Sequence, residues 1–241
     1  MKTRIDEIAP DLYRISTYIS GYDLQFNQFL VVDDEVLLYH TGMRKMFPLV
    51  CEAVEKVVDP SSIRWIGFSH FEADECGSLN EWLTLAPHAE FISGTVAAIV
   101  NLNDYALRKG RVLAENEILA TGRHRYRLLE TPQVPHAWDA NLLLEETESV
   151  LFCSDLFLQN GDVAALSEKD LLESARQALL AYEAGPLRHL MVYTGLTQNT
   201  LETLAGIKPK LLAIMHGSSF KGDGESALRG LSKVYAEILG A

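Results

Sequence analysis

Residues 63–77 read Ile-Arg-Trp-Ile-Gly-Phe-Ser-His-Phe-Glu-Ala-Asp-Glu-Cys-Gly. The opening run, Ile63–Ser69, is apolar and strand-like, and His70, Glu72, Asp74 and Glu75 follow it at once. His70, Glu72 and Asp74 alternate, so an extended segment would point all three the same way. Two carboxylates and an imidazole on one side, just past a buried strand, cost desolvation and mutual repulsion. A bound cation offsets both. The plainer alternative is a solvated acidic turn with a chance histidine, since Asp and Glu are mostly surface residues.

Three other stretches repeat the arrangement of an apolar strand that ends at a metal-competent residue. They are Pro132-Gln-Val-Pro-His136-Ala-Trp-Asp139, Phe152-Cys-Ser-Asp155-Leu-Phe157 and Ile214-Met-His216-Gly217. Each alone has a structural explanation. His136 could be a hydrogen-bonded core histidine, Asp155 a helix N-cap, and His216 part of a turn. Together the four strand ends supply three histidines and three carboxylates, and strand ends of layered α/β folds are where sites are built.

The surrounding pattern supports such layers. Strands are expected over Leu12–Tyr18, Asn27–Asp33, Glu35–His40, Ile63–Ser69, Glu90–Ser93, Arg125–Thr131, Asn141–Glu145, Ser149–Ser154, Leu190–Thr194 and Leu211–Met215. Helical spacing marks Phe47–Val58, Leu79–Leu85, Thr95–Leu107, Glu168–Ala184, Leu201–Ile207 and Ser226–Leu239. Strands cluster early and then alternate with helices, which points to two sheets with helices outside, an α/β protein. Strand order is left open. No repeat, low-complexity tract or linker divides the 241 residues, so 1–241 is read as a single domain.

Composition excludes several classes. Apolar residues make up 48% and charged residues 22%, ordinary globular usage that can bury a core without disulfides. Lys plus Arg number 21 against 33 Asp plus Glu, a net charge of −12 that repels phosphate backbones and argues against nucleic acid. No stretch approaches the ~20 apolar residues of a membrane span, and acids stand where a signal peptide has its apolar region. The three cysteines, Cys51, Cys76 and Cys153, form no CxxC pair, and a cytoplasmic setting is expected.

The ordered set HxExD … H … D … H, with gaps of 66, 19 and 61 residues from His70 through His136 and Asp155 to His216, resembles the metallo-β-lactamase fold superfamily. Within it the chain is most similar to the flavodiiron branch, which carries His-x-Glu-x-Asp where zinc hydrolases carry His-x-His-x-Asp-His. Ser154-Asp155-Leu156-Phe157 also resembles an Asp-x-Phe element of that branch. The resemblance implies a four-layer αββα sandwich and two iron ions, with zinc or manganese as alternatives. His70, Glu72 and His136 would bind one metal, Asp74 and His216 the second, and Asp155 would bridge them. Three carboxylates and three imidazoles are a harder set than zinc hydrolases use, and they suit iron or manganese. Glu75 departs from the pattern, which has a histidine there; it is either neutral or an added ligand. The flavodoxin-like domain of flavodiiron proteins has no counterpart before Ala241. The chain therefore looks closer to the stand-alone oxygen-binding diiron proteins.

The implied function is a non-haem diiron protein that binds dioxygen as sensor or carrier. With an external electron-transfer protein it would reduce dioxygen or nitric oxide. A dinuclear metal-dependent hydrolase is the alternative, with a metal-bound hydroxide as nucleophile; an interaction protein with a degenerate site ranks below both. Glu75 and Tyr193 are the candidate catalytic residues beside the metals, Tyr193 as a donor to bound oxygen or simply a packed tyrosine. His40 is a candidate support for a ligand, Cys76 a plain buried thiol. A homodimer is the common default.

Overall fold

The computed structural model describes residues 2–240. Its first sheet has seven strands in sequence order: β1 (Thr3–Ala9), β2 (Leu12–Ile19), β3 (Leu24–Val31), β4 (Val36–Tyr39), β5 (Ile63–Gly67), β6 (Glu90–Ser93) and β7 (Arg111–Val112). The first four pair antiparallel as hairpins, and β4 through β7 pair parallel across helical connections. The second sheet comprises β8 (Ile118–Ala120), β9 (Arg125–Glu130), β10 (Asn141–Glu145), β11 (Val150–Phe152), β12 (Leu166–Ser167), β13 (Leu211–Ala213) and β14 (Ser219–Lys221). Its spatial order is β12-β14-β13-β11-β10-β9-β8, with β11 and β13 parallel.

The period-2 alternation of the strands sorts side chains into separate layers. Phe29, Leu37 and Tyr39 of the first sheet meet Leu143, Val150 and Phe152 of the second in one buried cluster. The Phe29 and Phe152 rings stand edge to face, 5.5 Å apart. Their sequence neighbours Leu30, Leu38, Leu144 and Leu151 face outward into a second cluster shared with the helices. There α1 (Phe47–Glu55) and α3 (Leu79–Leu85) contribute Val50, Val54 and Trp82. The later helices α6 (Leu172–Glu183), α7 (Thr197–Gly206) and α8 (Gly224–Leu239) contribute Leu179, Leu201 and Leu228. Each such leucine or valine, fully buried, contributes about 1.5–3 kcal/mol. The expected four-layer αββα sandwich is the observed architecture.

Several elements differ from the sequence reading. β1 was not expected, because Arg4, Asp6 and Glu7 mask its alternation; it forms by pairing with β2 along the hairpin edge. Residues 95–105 are not one regular helix but α4 (Thr95–Ala97), a π turn (Ala98–Leu102) and α5 (Asn103–Tyr105). Leu190–Thr194, expected as a strand, has no strand partner; Met191 is buried as an irregular segment over the second sheet's helices.

Two asparagines stitch the sheets together at the end where the parallel strands finish. Asn27 of β3 donates its backbone N–H to Met215 O (3.0 Å), and its Nδ2 to Ile214 O (2.8 Å) and Gly217 O (2.9 Å). Asn141 of β10 donates both its backbone N–H (2.8 Å) and its Nδ2 (2.7 Å) to Ser69 O. The buried Arg14 adds Nη2 to Gly217 O at 2.8 Å and to Gln25 Oε1 at 2.9 Å.

Replacing Asn27 by Ala strands the Ile214 carbonyl and leaves Gly217 O to Arg14 alone, so it is expected to lower stability by about 1–3 kcal/mol. In urea the unfolding midpoint falls while the slope stays unchanged; an unchanged midpoint would show that Asn27 does not hold the sheets.

Candidate metal centre

The strand-end loops bring His70, Glu72, Asp74, His136, Asp155 and His216 into one cluster. From Ser69 to Phe71 the chain bends, with the Glu72 N–H donating to His70 O (3.0 Å), and past Glu72 (φ −137°, ψ 160°) it turns into α2 (Ala73–Cys76). The extended alternation expected of this stretch does not form; a tight turn brings His70 and Glu72 together instead, and Asp74 goes elsewhere. His70 Nε2 and Glu72 Oε2 lie 3.0 Å apart. The helical turn carries Asp74 to the far side, where its Oδ2 is 3.2 Å from His216 Nε2.

The other three ligand candidates sit beside residues with left-handed backbone. His136 lies between Gln133 (φ 65°) and Ala137 (φ 68°) in the loop from β9 to β10. Asp155 follows Ser154 (φ 52°) after β11. His216, after β13, precedes Gly217 (φ 114°), where a Cβ would stand 2.7 Å from the Cβ of Gln159. Only glycine fits that turn.

Asp155 occupies the centre. Its Oδ2 is 2.9 Å from His136 Nε2 and 3.7 Å from His70 Nε2, and its Oδ1 is 3.1 Å from His216 Nε2. On one side the donor atoms of His70, Glu72 and His136 lie within 4.8 Å of one another; on the other, those of Asp74, Glu75 and His216 do the same, and Glu75 also comes within 4.8 Å of donors of His70 and Asp155, so it borders both. This is a two-lobed constellation around one shared carboxylate.

Electrostatics show how the metal-free protein tolerates the crowding. Burial works to lower the His216 pKa, yet hydrogen bonds and charge from Asp155 and Asp74 outweigh it and raise it to about 10. Burial also opposes protonation of His136, and Asp155 again prevails, so its pKa rises. Burial pushes Asp155 upward, but its bonds to His136 and His216 hold it well below the usual carboxylate range. Protonated imidazoles thus hold positive charge among the acids, where a metal ion would carry it instead. Glu75 has no such relief. Burial first, then the charges of Asp74 and Asp155, raise its pKa well above the ordinary value. Both its oxygens are buried and no donor group reaches them; the bond open to it is its own proton shared with Asp74.

Neighbouring side chains orient the imidazoles. His216 Nδ1 donates to Gln25 O at 2.8 Å, which leaves Nε2 facing the cluster. With His70 Nε2 turned to the cluster, its Nδ1–H donates to Ser69 Oγ (3.0 Å), and Ser69 Oγ–H donates to Ser154 Oγ (2.8 Å). His40 reaches this chain rather than a ligand: its Nε2 is 3.3 Å from Ser69 Oγ, and burial lowers its pKa to about 3, so it is neutral. Such partners fix tautomer and ring orientation. None of Gln25, Ser69 or Ser154 carried a signal in the sequence.

A cavity of about 290 Å³ opens above the cluster. Tyr22, Leu24, Met43, Leu187, Leu190 and Met191 form its largely apolar wall, with Tyr182 beside Asp155 and His216. Tyr193, expected at the site, does not line it. The half-buried ring packs against the end of α8, 3.2 Å from where a Cβ on Gly240 would stand. With Leu190–Thr194 irregular rather than a strand, Met191 and Leu190 take the cavity wall and Tyr193 turns away. Tyr22 and Tyr182 are the tyrosines that line the cavity; for Tyr182 only its place in an amphipathic stretch hinted at burial. Cys76 is a buried thiol whose pKa burial raises to about 12, which suits a packing role.

Residues 24–217 match the family model described as ODP family beta lactamase. The chain belongs to this family. Among curated proteins, the ODP-family chain is similar to rubredoxin-oxygen oxidoreductase of Megalodesulfovibrio gigas, 25% identical over 214 residues, 84% of this chain and 52% of that protein. It is also similar to flavo-diiron protein FprA2 of Clostridium acetobutylicum, 24% identical over 136 residues, 56% of this chain and 34% of that one. It thus spans about half the length of the first. Solved structures share the fold. Rubredoxin oxygen:oxidoreductase from Desulfovibrio gigas superposes with a TM-score of 0.80 at 20% identity, covering 97% of this chain and 62% of that one. A fragment (1–254) of putative diflavin flavoprotein A 5 from Nostoc gives 0.75 at 15% identity, covering 98% and 94%.

The raised histidine pKa values set a pH dependence for the metal-free protein. A group whose folded value exceeds its unfolded one stabilises fully below the unfolded value, here 6.5, and the gain is lost as pH rises toward about 10. Glu75, also raised, acts in the same direction. The melting temperature of chelator-treated protein is therefore expected to fall from about pH 7 to about pH 10. A flat profile would show that the imidazoles do not hold these protons.

Proposed function

We propose that this chain, read as one domain over 1–241, is a non-haem diiron protein that binds dioxygen. Given electrons from a separate electron-transfer protein, it reduces dioxygen or nitric oxide. The observation that carries this reading is the two-lobed cluster, with Asp155 between His136 and His216. His70, Glu72 and His136 would hold one iron, Asp74 and His216 the second, and Asp155 both. The donor set fits: three imidazoles with three carboxylates favour iron or manganese over the nitrogen-rich sets of zinc hydrolases. Two irons bound there supply redox electrons and open coordination positions for a diatomic ligand.

The residues of the chain do the rest. The Gln25 carbonyl and the Ser69–Ser154 pair hold His216 and His70 with Nε2 inward. The apolar cavity wall limits water at the cluster and admits a small uncharged molecule. Glu72, the most exposed of the six at 45% side-chain exposure, faces the entrance. The name of the Megalodesulfovibrio relative pairs rubredoxin with oxygen, which supports an external donor of that kind; a homodimer is the expected assembly. All three cysteines are free, in keeping with the cytoplasm. No helix among the described residues is long and apolar enough to cross a membrane. The hydrolase reading has no comparable support, since the relatives matched are flavodiiron and diflavin proteins.

Anaerobically purified protein is expected to hold about two irons per chain and to develop a visible band when air is admitted. Persistence of that band with added reductant marks a carrier or sensor, and decay marks a reductase. Zinc in the site, no spectral change and ester hydrolysis would replace the reading with the hydrolase. Asp155→Asn is expected to weaken metal binding more than ~100-fold, beyond the range of supporting residues, as measured by metal competition.

A further inference from the structure

We infer that Glu75 is a metal ligand, the fourth protein donor to the second ion beside Asp74, His216 and Asp155. This rests on the two-metal reading above and deepens it. Without Glu75 the lobes are unequal: the first would have His70, Glu72, His136 and Asp155, the second only three donors. Glu75 sits in α2, one residue past Asp74, and its carboxylate lies within 4.8 Å of the donor atoms of both Asp74 and His216. The side chain is fully buried, and no donor group of the protein reaches either oxygen. Its Oε2 also stands 3.9 Å from His70 Nε2, so the group faces the cluster rather than the core behind it.

A buried carboxyl that no donor reaches, beside two other carboxylates, is costly to ionise in the metal-free fold, through desolvation and repulsion. Packing alone gives no reason to keep it, since an amide of the same shape would avoid the charge. Charge balance gives one. Two divalent ions bring four positive charges into a low-dielectric site. Glu72, Asp74 and Asp155 offset three of them, and Glu75 offsets the fourth, leaving no net charge buried. The added oxygen also hardens the second lobe relative to an imidazole at the same place, which favours iron or manganese over zinc.

The test compares wild-type protein with Glu75→Gln, both stripped of metal and titrated anaerobically with manganese(II), free ion being counted by its EPR signal. Wild type is expected to bind two ions. Glu75→Gln is expected to bind the first normally and the second at least ~10-fold more weakly. The melting temperatures move in opposite senses: metal-free Glu75→Gln melts at or above wild type, while its gain on saturation with manganese is smaller. A purely structural role would instead lower both. In a second variant, Glu75→His, the cobalt(II) absorption bands shift relative to wild type, because a nitrogen replaces an oxygen on the metal. Two ions bound equally well by wild type and Glu75→Gln, with unmoved cobalt bands in Glu75→His, would overturn the assignment of Glu75 and leave the diiron reading standing. Fewer than two ions on wild type would overturn the two-metal reading itself.

Discussion

The hydrogen bonds of Asn27 and Asn141 across the sandwich decide whether the cluster exists at all. His70, Glu72, Asp74 and Glu75 ride on the first sheet, and His136, Asp155 and His216 on the second. Neither set makes a site by itself. Asn27 locks the strand that ends at His216 against β3, and Asn141 locks the second sheet against Ser69, the residue before His70. Both asparagines are buried and bond mainly to backbone carbonyls, so they fix position at the cost of little side-chain entropy. Arg14 secures the same turn from a third direction through Gly217 O.

That frame explains the placement of strained residues. Ser154, Gln133 and Ala137 hold left-handed backbone within three residues of a ligand candidate, and Gly217 does so next to another. Each costs stability, of order 1 kcal/mol or more, and persists only where surrounding contacts over-determine it. Here the contacts are the inter-sheet bonds, and the result is that four imidazole and carboxylate loops end with their polar atoms a few ångströms apart.

The layers and six of the clustered residues were legible because each apolar strand ends abruptly at a charged or imidazole residue. What the residues could not show was local geometry. Asp74 looked like the third member of an alternating set, but one helical turn after Glu72 is enough to assign it to the other lobe. Leu190–Thr194 has strand-like composition and lacks only a neighbour to pair with, which no single stretch of sequence reveals; Tyr193 was misplaced with it. β7, β8 and β12 have two or three residues each, too few to carry a period. Asn27 and Asn141 are polar residues within strands, and nothing in their own stretches tells that the opposite sheet covers them.

Because each lobe draws donors from both halves of the sandwich, an ion in either lobe would act as a cross-link between halves of the chain far apart in sequence. Separating the sheets would then require both ions to leave, whereas either ion could leave through the cavity with the sheets still closed. Slow amide exchange in the inter-sheet core around Phe29 and Phe152 would thus report how long both ions stay bound, since that core opens only after they leave.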